Sequence, residues 1–81
     1  MGDWDGKVLV VEPGANLDAL TGVLAAVVAG PDAVAVGEAV GRWQARGVRA
    51  CGFVGAPGDE AALQMAAELF PGSEVVLGPS A

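Results

Sequence analysis

The chain has 81 residues, 53% of them hydrophobic and 17% charged, which excludes a disordered chain and leaves room for one small domain with a thin core. Four Lys+Arg against ten Asp+Glu give a formal net charge of −6, so a phosphate backbone is repelled and direct nucleic-acid binding is weak at best. With no histidine and one cysteine (Cys51), His triads, His zinc sites, internal disulfides and Cys-rich metal sites are excluded.

Residues 1–6, MGDWDG, read as a loose arm, with residues 7–81 forming a single α/β domain. Val8–Val11 is a continuous β-branched run, as expected of a strand buried on both faces, and Glu12-Pro13-Gly14 ends it. Asn16 then suits a helix N-cap, and Leu17, Leu20, Leu24, Val27 and Val28 follow at helical spacing up to the Gly30-Pro31 break. Ala33–Val36 reads as a second strand. A helix from Gly37 carries Ala39, Val40 and Trp43 inside and Arg42 and Arg46 outside, until Gly47. Val48–Val54 reads as a third strand, with Gly52 permitting a close approach. Asp59 caps a third helix whose apolar face is Ala62, Leu63, Ala66, Leu69 and Phe70, and Glu74–Leu77 is a fourth strand.

The expected order is therefore β-α-β-α-β-α-β, a four-stranded parallel sheet with three flanking helices. Right-handed crossovers favour a spatial order 2-1-3-4, with a switch point between the first and third strands. No apolar run approaches the roughly 18 residues that span a bilayer, and no basic leader precedes one. The expected setting is the cytoplasm, with no membrane contact.

Ligands of a parallel sheet bind beyond the carboxyl ends of its strands. Glu12 and Asn16 follow the first strand, and Asp59 and Glu60 follow the third. If those strands are neighbours, Glu12, Asp59 and Glu60 face one another at a spacing suited to Mg²⁺, which takes oxygen ligands. The alternative is simple capping of free helix N–H groups by Asn16 and Asp59. The glycines Gly52, Gly55 and Gly58 lack the Lys-Ser/Thr of a phosphate-binding loop. Thr21, Ser73, Ser80 and Cys51 have no base placed beside them by the sequence.

The layout resembles a Toprim domain, the fold shared by bacterial primases, topoisomerases and OLD-type nucleases. VLVVEPG places Glu12 where that family has a strand-terminal Glu, with Pro13 in place of the usual Gly. Ala33–Ala39 (AVAVGEA) is similar to the family's short second strand, and CGFVGAPGDEAALQ places Asp59 at the second Asp of an Asp-x-Asp motif. The resemblance covers roughly Lys7 to Pro79. It implies an acid/base role for Glu12 and Mg²⁺ held by Asp59 with Glu60 beside it. Pro57 stands where the first Asp of the pair belongs, so the implied metal site lacks a ligand. The expectation is a degenerate, catalytically inactive accessory domain of nucleic-acid machinery.

A second reading is a small α/β interaction or self-assembly module without chemistry. Ala, Gly and Val account for 42 of the 81 residues, so the core is thin and gains stability from a protein partner or a homo-oligomer. Trp4 and Trp43 are the candidate anchors of such an interface, the alternative being a place at the edge of the core.

Overall fold

A computed structural model of the chain describes residues 4–78. It is an α/β domain built on one four-stranded parallel sheet, with strands β1 (Val8–Val11), β2 (Ala25–Gly30), β3 (Arg49–Val54) and β4 (Val75–Leu77). Two helices flank the sheet, α1 (Ala33–Ala45) and α2 (Glu60–Leu69), and a single 3-10 turn (Leu17–Ala19) lies in the β1–β2 connection. Among the described residues no helix is long and apolar enough to cross a membrane. Residues 1–3 of the expected arm lie outside the described residues. Trp4 to Gly6 form a turn anchored by the Gly6 amide on the Gly22 carbonyl at 2.9 Å.

The spatial order is β3-β2-β1-β4, not 2-1-3-4, and the described residues form two α-helices instead of three. The difference begins at residues 17–30. Only Leu17–Ala19 coil, and the chain turns at Gly22 with a left-handed φ of 81°. Ala25–Gly30 is then a strand buried along its whole length. A short apolar run buried on both faces has no polar side, so Leu and Val at helical spacing imitate a helix there. Ala33–Ala39, the segment similar to a family strand, is instead the first half of α1. Asp32 caps it by accepting the Val34 amide at 2.9 Å. Pro31-Asp32 is a helix start, and the alternating Ala and Val after it are overridden by that cap and by Val36 and Ala39 packing on the sheet.

Topology fixes which face each helix covers. The chain moves β1 to β2 to β3 in one direction, so the 3-10 turn and α1 lie on one face. It then steps back across β2 and β1 to reach β4, which puts α2 on the other. The core is divided accordingly. Leu9, Val11, Ala26 and Val28 pack with Leu20, Val36, Ala39 and Trp43. Val8, Val10, Ala25, Val27 and Ala29 pack with Ala62 and Ala66. The alanines of β2 and α2 let both helices approach the sheet closely, so a thin sandwich is closed with small side chains.

Trp43 is 2% exposed and is the largest fully buried side chain, so it is a core residue and not an interface anchor. Its ring fills the volume left by the surrounding alanines and valines. Trp4 is half-buried and packs against the same cluster.

Candidate functional site

Parallel strands direct every carboxyl end to one edge, so Glu12, which follows β1, and Asp59, which follows the short loop after β3, share that edge. They are not on neighbouring strands. β2 lies between, so the strands that carry them are two spacings, about 9.6 Å, apart. The tips of β1, β2 and β4 close on one another instead. A Cβ at Gly30 would stand 2.8 Å from Pro13 Cγ, and one at Gly78 would stand 2.6 Å from Val11 Cγ1. The order reverses between β1 and β4, which moves the switch point away from Asp59.

Asp59 is occupied locally. Its Oδ2 accepts the Ala56 amide at 3.3 Å, folding the loop that follows β3, and it makes no side-chain cap to α2. Glu60 lies exposed in the first turn of α2. Asn16 caps the 3-10 turn by accepting the Asp18 amide at 3.0 Å. Among the described residues no group of three or more Asp, Glu, Cys or His side chains gathers as metal ligands. The structure thus places the expected Mg²⁺ ligands on one edge, on strands that are not neighbours.

The arginines do more than solvate α1. Arg42 donates to the Pro13 carbonyl at 2.9 Å, and Arg46 pairs with Asp18. Spaced i, i+4, they hold the β1–β2 connection against the helix and line a groove of about 560 Å³ with Ala15, Asn16, Leu17 and Ala45. Both cations are engaged by the chain itself. Arg49 lies exposed at the start of β3.

The other feature of note is the outer edge of β3, which sequence reading passed over because it took this strand for an interior one. β3 is terminal in the sheet and runs six residues, RACGFV, in unbroken one-to-one register with β2. The Gly55 amide donates to the Gly30 carbonyl at 2.8 Å. Backbone groups alternate along a strand, so Ala50, Gly52 and Val54 turn theirs away from β2. The Gln44 carboxamide reaches over to donate to the Ala50 carbonyl at 3.4 Å. The usual devices that blunt an edge, lysine, proline or a bulge, are missing from this strand. Val54 is 60% exposed, and Cys51 and Phe53 are half-buried on the face where α2 lies over β1, β2 and β4. The opposite edge strand, β4, has only three residues and is flanked by the Lys7–Glu74 ion pair at 3.5 Å. No protein-family model, no curated protein and no solved structure matches this chain.

Proposed function

We propose that the chain is a small interaction module whose binding element is the open edge of β3, which takes up an added strand. The observation that carries this is the combination of length, apolar composition and unblunted backbone in Arg49–Val54. Strand addition uses main-chain hydrogen bonds for affinity and alternate side chains for specificity. It suits a domain whose thin core leaves β3 only half-covered. The test is hydrogen–deuterium exchange of the protein at low micromolar concentration with an added peptide of the sequence VRACGFVG. Slower exchange in 49–54, with no slowing by a scrambled peptide, is the expected result. Unchanged exchange of this segment at millimolar peptide overturns the proposal.

A second reading keeps the degenerate Toprim-like accessory role, without turnover and with weak Mg²⁺ binding. What supports it is the shared carboxyl edge of Glu12 and Asp59. Its test is an NMR titration with Mg²⁺, in which shifts confined to these residues and Glu60 support it and their absence removes it.

A further inference from the structure

We infer that the strand added to β3 is β3 of a second copy, paired antiparallel about a two-fold axis at Gly52. This rests on the reading of the open β3 edge as the binding element, and names its partner.

Symmetry and backbone alternation set the register. In an antiparallel pair, outward-facing residues must oppose outward-facing residues. Centring the axis on Gly52 opposes Gly52 to its own copy and Ala50 to Val54, so every outward group of β3 is used. Directly opposed pairs of this kind exchange two bonds each, about six in all. The Gln44 carboxamide, which now covers the Ala50 carbonyl, is displaced by the incoming Val54 amide.

Charge is complementary in this register. Arg49 lies opposite Gly55 of the second copy. Asp59 stands over that glycine, since a Cβ built on Gly55 would be 3.1 Å from Asp59 Oδ2. Arg49 is the single charge of β3, and Asp59 is the first acid beyond its other end. Antiparallel pairing brings them together twice, whereas parallel pairing sets like against like. The same register seats Cys51 beside Phe53 of the other copy, covering the half-buried strip that α2 leaves.

The other face is compatible. A Cβ at Gly52 would meet Val36 and Val40, and one at Gly30 would meet Val36 too, so α1 lies over β2 and β3, inside the axis. The side of α1 that looks over the edge carries Ala33, Gly37, Val40 and Gln44. A perpendicular axis places the two α1 helices about 10 Å apart, within the range of packed helices. Gly37 has no positive φ, and a Cβ there would meet nothing within 4 Å, so nothing in the single chain requires a glycine in that helix. A bare backbone there leaves room for the helix of the second copy. The joined sheet has eight strands, four from each copy, and ends on the short β4 at both sides.

Analytical ultracentrifugation of the full chain over a concentration series tests this. A monomer–dimer equilibrium is expected. Val54→Pro removes an outward N–H that β2 does not use, and is expected to weaken the dimer about tenfold or more with an unchanged circular dichroism spectrum. Arg49→Glu is expected to weaken it about tenfold, and Arg49→Glu with Asp59→Arg to restore it. In a mixed-label dimer, an isotope-filtered NOE from Cys51 Hα to Phe53 Hα reports the register. A monomer at all concentrations overturns the inference, while the peptide experiment above still decides on the edge itself. A dimer that persists in Val54→Pro, or lacks the NOE, also overturns it.

Discussion

Gly52 lies directly beneath Val36, so that a Cβ on the glycine would stand 2.7 Å from Val36 Cγ1 and 3.5 Å from Val40 Cγ2. α1 therefore rests on the backbone of β3 at this point. Gly52→Ala forces the helix outward or Val36 into a new rotamer, at a cost of about 1–3 kcal/mol. Urea denaturation measures this. A stability unchanged within error would mean that α1 does not bear on β3 at Gly52.

Gly37 presents the opposite case five residues after the Asp32 cap of α1. Gly37→Ala meets open space and removes backbone entropy from the unfolded chain, so the monomer gains about 0.4–1 kcal/mol. The same methyl occupies the side of α1 proposed to face a second copy, so dimerisation weakens. Thermal melts at low and high protein concentration separate the two effects. A melting temperature lowered at both would contradict the open surroundings of Gly37.

Trp43 supplies more buried volume than any neighbour in a core otherwise made of Leu, Val and Ala. Trp43→Ala leaves a cavity that small, stiff side chains cannot refill, and costs about 3–5 kcal/mol. For so small a domain that loss approaches the whole stability. The loss of near-ultraviolet circular dichroism is the expected readout, and a folded Trp43→Ala protein with native-like melting would refute it.

Arg46 and Asp18 form an ion pair whose side chains are 50% and 76% exposed. Water screens both partners, so Arg46→Ala costs at most about 1 kcal/mol. Arg42 makes a charge-assisted bond to a backbone carbonyl that holds Pro13 in place, and Arg42→Ala is expected to raise amide exchange in 12–16. Exchange that stays unchanged there would show that the loop is held by its turn alone.

Because β2 separates the strands that bear Glu12 and Asp59, a single Mg²⁺ is not expected to depend on both. Glu12→Gln is therefore expected to leave any Mg²⁺-induced shift at Asp59 unchanged. Loss of the Asp59 shift in that variant would show that the loops bring the carboxylates together around an ion.

Much of the molecule was legible in the residues themselves. Val8–Val11 and Val75–Leu77 carry the β-branched runs of strands, Arg49–Val54 a short apolar run between Gly47 and Gly55, Asp59 begins α2, and Gly47, with φ 81°, ends α1. Alternation of such elements was enough for an α/β class and a parallel sheet. Residues 17–36 were not legible, because Ala and Val satisfy a buried strand and a buried helix equally well. Tertiary burial on both faces made Ala25–Gly30 a strand, and Asp32 then capped the next segment as a helix. That exchange put β2 between β1 and β3. It separated the strands that carry Glu12 and Asp59, drew Trp43 into the core and left β3 at the edge. Strand order arises from contacts between distant segments, and no local pattern of side chains encodes which strand ends up with an unpaired side.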